Sequence, residues 1–98
     1  MIRLRIYHSE MADHDESDQI FYSLVKPVHE KHGALFRGRY RDASGKVFVL
    51  WEYENENELK RIQKVVADDP ESQKNKTLRQ KRGLHGIPFD EYILKSTN

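Results

Sequence analysis

From Lys46 to Tyr53 the chain is apolar at both parities. Val47, Val49, Trp51 and Tyr53 alternate with Phe48 and Leu50, and Glu52 is the one charge after Lys46. Successive side chains of a strand point to opposite faces, so this run predicts a strand in mid-sheet with both faces covered. A chain of 98 residues has helices enough for one face and little left for the other. A second copy of the chain is the expected cover.

The other elements are read from the same kind of pattern. Ile2, Leu4 and Ile6 alternate with Arg3, Arg5 and Tyr7, which predicts a first strand with one apolar and one basic-aromatic face. Residues 9–18 are rich in helix-starting types, with Asp13 and Glu16 at capping-box spacing. A helix to about His32 comes next, burying Ile20, Phe21, Leu24, Val25 and Val28, ended by Gly33 and bent by Pro27. Ala34–Arg41 reads as a second strand, on which Leu35, Arg37, Arg39 and Arg41 share a face. Asp42-Ala43-Ser44-Gly45 turns it back into the apolar run as a hairpin.

Asn55 with Glu58 opens a second long helix, with Leu59, Ile62, Val65 and Val66 as its stripe. Asp69-Pro70 starts a short helix to Arg82 by the cap-then-proline rule. Leu78 is its one large apolar residue, so most of it is expected in solvent. Phe89–Lys95 is the last strand. The order is that of an α+β, ferredoxin-like βαββαβ unit with an extra short helix before the last strand, occupying residues 1–98 as a single domain. Its bare sheet face, paired with a second copy, makes a dimeric α/β barrel.

Composition narrows the function classes. Charged residues are 34% of the chain and apolar ones 37%, against an average of about 25% charged, so the surface is strongly ionic. Seventeen basic and sixteen acidic side chains leave a net charge of +1, which gives no global field toward nucleic acid or an anionic membrane. There is no cysteine, which excludes disulfides, thiol chemistry and cysteine-ligated metals. No apolar run is long enough for a signal peptide or a membrane span, and the expected location is cytoplasmic.

Candidate chemistry is sparse. His29 and His32, three apart, could face a metal together, but no third ligand stands at a recognisable spacing, and a histidine in a last helical turn complements the helix dipole. No metal and no cofactor are expected. The acid–histidine cluster His8, Asp13, His14, Asp15 and Glu16 reads as a solvated connection. Arg3, Arg5, Arg37, Arg39 and Arg41 form rows able to hold an anionic ligand or cross-sheet ion pairs with Glu52. Tyr7 and His8, at the end of the first strand, are the candidate proton-handling groups. Arg39 is the candidate anion holder, and Trp51 with Tyr53 are candidate pocket walls between sheet and helices, or else core and interface aromatics. Lys74, Lys76, Arg79, Lys81 and Arg82 lack interleaved aromatics, so a solvated helix accounts for them better than nucleic acid does.

Several short segments carry a resemblance: Arg5-Ile6-Tyr7, Pro27, Lys31-His32-Gly33-Ala34, Gly38-Arg39-Tyr40, Leu50-Trp51-Glu52-Tyr53-Glu54 and Asp68-Asp69-Pro70. Together they resemble the small bacterial members of the NIPSNAP family. The resemblance implies a dimeric α/β barrel of ferredoxin-like subunits. Its wider superfamily mixes cofactor-independent monooxygenases, haem-degrading enzymes, isomerases and stress-responsive proteins. The haem-degrading relatives carry a histidine after the second helix and a tryptophan within it; the comparable run Leu59–Lys76 has neither, and His85 lies further on.

Two readings result. The first is a homodimer binding a small organic molecule, with the resemblance implying cofactor-independent oxygenase-like or isomerase-like chemistry. The second is a non-catalytic stress-response or interaction scaffold.

Overall fold

The computed structural model describes residues 1–8, 14–83 and 86–97, with His14 by its backbone alone. The proposed Asp13–Glu16 cap, the acid–histidine cluster and His85 therefore lie wholly or partly outside the described residues. The elements are β1 (Ile2–Tyr7), α1 (His14–Ile20), a π-helical turn (Phe21–Val25), α2 (Lys26–Lys31), β2 (Leu35–Arg41), β3 (Val47–Glu52), α3 (Glu56–Asp68), α4 (Pro70–Lys81) and β4 (Phe89–Leu94). The strands form one antiparallel sheet in the order β2-β3-β1-β4. This is the α+β, ferredoxin-like arrangement expected from the sequence, with α4 as the added helix.

The apolar run is a central strand. Val47, Val49, Trp51 and Tyr53 are buried with Phe21, Val28, Ala34, Leu59, Ile62 and Val66 in the layer between sheet and helices. Phe48 and Leu50 point to the opposite face, where Leu35, Tyr40, Tyr92 and Leu94 stand exposed. Opposite them in register are Ile6 and Leu4 of β1. Among the described residues no helix covers this outer face.

Local chemistry sets the helix ends. Asn55 Oδ1 accepts the Glu58 N–H at 2.9 Å to start α3, and Asp69 Oδ1 accepts the Glu71 N–H at 2.9 Å to start α4 behind Pro70. Both are side-chain caps that satisfy otherwise orphaned donors. Asp69 also takes Lys31 Nζ at 2.7 Å and His32 Nε2 at 2.8 Å, which ties the end of α2 to the start of α4. The hydrogen bonds from Lys31, His32 and the backbone donor hold the Asp69 carboxyl well below the usual carboxylate range.

Two features differ from the pattern read along the chain. Pro27 does not simply bend one helix: the turn before it widens, and the Lys26 N–H reaches back five residues to the Phe21 carbonyl. A proline ring crowds the carbonyl four residues before it, and the wider turn is one way to relieve that. The arginine row on β2 is also broken. The register shifts between Phe36 and Gly38, a β-bulge with Gly38 at φ +144°, and the later residues of the strand change faces. Arg37 is outside, paired with Glu52 at 3.1 Å, while Arg39 and Arg41 are inside, sharing Asp18.

Candidate functional site

The basic-aromatic face of β1 is the inner one. Arg3, Arg5 and Tyr7 pair with Trp51, Val49 and Val47 of β3 and look toward the helices. Between them and the helices lies a cavity of about 810 Å³. Its apolar wall includes Ile20, Phe21, Val28, Trp51 and Val66, and its basic wall is Arg3, Arg5, Arg39, Lys76 and Arg79. Glu91 is the one acid among its described lining residues. The volume is in the range of pockets that enclose a small organic ligand.

The charges are unequally paired. Arg39 bonds to Asp18 and, at 3.2 Å, to Ser17 Oγ. Burial opposes the Asp18 carboxylate, but Arg41 and Arg39 outweigh it and hold its pKa below the ordinary value. Arg5 Nε donates to Glu91 at 2.9 Å. Arg3 is paired more loosely: it is 3% exposed, its Nε makes no hydrogen bond, and its ion pair with Glu91 spans 3.8 Å. Desolvation by burial and then the Arg5 charge lower its pKa. A buried guanidinium with an unused donor is costly, and this one stands on the wall of the cavity.

His29 is the second group of interest. Its imidazole stacks on the Trp51 indole, with centroids 4.9 Å apart and planes 22° from parallel, and Nδ1 has no hydrogen-bond partner. Desolvation lowers its pKa from 6.5 to about 4, with Arg3, Arg5, Arg79 and His32 adding to the effect. The ring is therefore neutral at pH 7.

The proposed residues separate clearly. Tyr7, Arg39 and Trp51 line the cavity. Tyr53 is 2% exposed and lies behind Arg3, whose Cζ is 5.6 Å from its ring centroid; its hydroxyl has no partner, and burial pushes its pKa up. His8 is the next residue after Tyr7 and so points away from it; it is exposed and pairs with Asp90 at 2.6 Å. The α4 helix, expected in solvent, buries Asn75, whose Nδ2 donates to the Leu24 carbonyl at 2.7 Å, and turns Lys76 and Arg79 to the cavity. Arg3 and His29 are the residues that sequence reasoning undervalues. The parity of Arg3 with Arg5 and Tyr7 opposite an all-apolar strand is the available signal.

Among the described residues no group of three or more histidines, aspartates or glutamates is placed to hold a metal ion, and no helix is long and apolar enough to cross a membrane. No family profile and no curated protein matches the chain in sequence. Solved structures do match it. One, a NIPSNAP family protein from Agrobacterium tumefaciens, superposes with a TM-score of 0.81 at 16% identity, over 99% of this chain and 92% of its own. The chain has the NIPSNAP fold.

An uncharacterised NIPSNAP domain protein from Burkholderia xenovorans agrees, with a TM-score of 0.76, 19% identity, and coverage of 99% of this chain and 96% of that one. A NIPSNAP family protein with unknown function from A. tumefaciens gives 0.80 at 14% identity, over 97% and 86%. At these identities the shared NIPSNAP fold says where elements lie and leaves the chemistry to the side chains of this chain.

Proposed function

We propose that this is a NIPSNAP-like protein that binds a small organic anion with an apolar body in the cavity between sheet and helices. The observation that carries the reading is Arg3: a buried guanidinium with an unused Nε on the wall of a cavity whose described lining residues include five cations and one acid. An anion there gains a charge-assisted hydrogen bond at a place water reaches poorly, while Phe21 and Trp51 take the apolar part. Arg5, Arg39 and Tyr7 shape the site, and Tyr53 supports Arg3 from behind.

The same reading includes a homodimer. The outer sheet face presents Leu4, Ile6, Phe48, Leu50, Tyr40 and Tyr92 with no segment of the described chain over them. A two-fold axis through such a face sets like residues against like and removes the exposed patch.

Trp51, the one tryptophan in the chain, reports directly on the cavity. Its fluorescence should titrate with 3-phenylpropionate and respond about tenfold more weakly to the isosteric 3-phenylpropanamide, the difference expected for a charge-assisted hydrogen bond. Arg3→Met should erase that preference. Equal binding of acid and amide by the unaltered protein would refute an anion site.

A further inference from the structure

We propose that the cavity performs proton transfer at carbon, with His29 as the base that removes a proton from a carbon next to the carbonyl group of a bound organic anion. The inference rests on the anion-pocket reading and goes beyond it from two facts about His29. Its side chain lines the cavity, and Nδ1, which is buried, is engaged by no hydrogen-bond partner, so no neighbour commits the ring to one tautomer. A histidine kept only for packing would be expected to satisfy its buried nitrogen. This one stacks on Trp51 and leaves Nδ1 buried without a partner, so the lone pair offered to the cavity is that of Nε2.

The surrounding charge acts on both partners of the step: it weakens the free imidazole as a base, an effect that the negative charge of the bound anion offsets, and it favours the enolate. The groups facing the ring are Arg3 and Arg5 from β1, Arg79 from α4 and His32 from its own end of the helix, with Trp51 of β3 beneath it. With burial they keep the imidazole uncharged, so it has a lone pair to use at neutral pH. The same arginines stand where negative charge would develop. As the C–H bond breaks, its proton passes to the imidazole and its electron pair moves through the C–C bond onto the carbonyl oxygen. The resulting enolate lies beside a guanidinium already desolvated and in place, the preorganised stabilisation that makes carbon acids reactive in enzymes. The imidazolium then returns the proton to the same carbon or to another atom of the enolate. The balance is one proton out and one back, with no oxidant or cofactor consumed. Arg3 has two parts in this, as anion holder and as enolate stabiliser. Tyr7 and Arg5, joined at 3.4 Å, close the cavity on the strand side.

Phenylpyruvate is a suitable probe: its carboxylate suits the basic wall, its ring suits Phe21 and Trp51, and its benzylic carbon is the acid. In deuterium oxide the protein should speed loss of the benzylic proton signal by about a hundredfold or more over buffer, the usual contribution of a positioned base. His29→Gln should return the rate to near the buffer value, with the loss in kcat rather than in KM. His29→Asn is the second variant, and the rate of the unaltered protein against buffer tests the step without any substitution. The pH profile should be flat near neutrality and fall as His29 protonates. Trp51 quenching by phenylpyruvate without faster exchange would overturn proton transfer and leave the anion pocket standing. Failure of both phenylpyruvate and 3-phenylpropionate to bind would overturn the two together.

Discussion

The His29 imidazole lies on the Trp51 indole at a centroid distance of 4.9 Å, so the charge state of one ring is felt by the other. Lowering the pH should change Trp51 emission with a midpoint near 4, the value to which burial and the neighbouring arginines bring His29. His29→Gln should abolish the transition. A midpoint at 6.5 in the unaltered protein would mean that the ring is solvated and that its burial is absent in solution.

Stability should track the same group. The folded-state pKa of His29 is depressed from 6.5 to about 4, so between those values the unfolded chain binds the extra proton and stability rises with pH. Lowering the pH from 7 toward 4 should cost about 3 kcal/mol, most of the linkage of a shift of this size. Asp69, whose pKa is lowered by Lys31, His32 and the Glu71 N–H, loses its stabilising contribution only at lower pH, as it protonates. Urea melts at several pH values would show two regions, and His29→Gln should flatten the upper one alone.

Asp69→Ala should cost more than a simple N-cap, which is worth about 1 kcal/mol, because it also leaves α2 without its tie to α4. Asp69→Asn keeps a capping oxygen for the Glu71 N–H and should cost less. Chemical denaturation of the pair separates the cap from the charge. Equal losses would mean that Lys31 and His32 carry the whole effect.

Gly38→Ala should destabilise by about 1–3 kcal/mol, since its φ of +144° is unfavourable for a side chain. The added Cβ would also stand 2.5 Å from the Tyr40 ring, which must turn away. The second consequence is at the cavity: relaxing the bulge moves Arg39 toward the outer face, so 3-phenylpropionate binding should weaken with stability. Unchanged binding and melting would contradict the bulge as the device that aims Arg39.

Leu50→Lys, on the outer face opposite Leu4 and Gly38, should convert a dimer to monomers in sedimentation while leaving the inner core intact. A monomer in the unaltered protein at high concentration would refute the proposed pairing of outer faces.

Strand and helix identity was legible in the sequence because it depends on short-range properties: alternation in Ile2–Tyr7, the apolar run Val47–Tyr53, and the caps at Asn55 and Asp69. The fold class came from their order. Alternation cannot say which of two faces turns inward. On β1 the apolar residues Ile2, Leu4 and Ile6 look the obvious core, yet Arg3, Arg5 and Tyr7 take the helix side because antiparallel register sets them beside Trp51, Val49 and Val47.

The site depended still more on tertiary structure. Arg39 shares the parity of Arg37 in sequence and is separated from it by one bulged residue. Lys76 and Arg79 read as solvated helix until Asn75 docks α4 against Leu24. His29 became notable only when burial, the stack on Trp51 and the nearby guanidiniums met at one place. Spacing along the chain records which groups are available; desolvation and mutual charge, which set their chemistry, arise only when distant segments close around them.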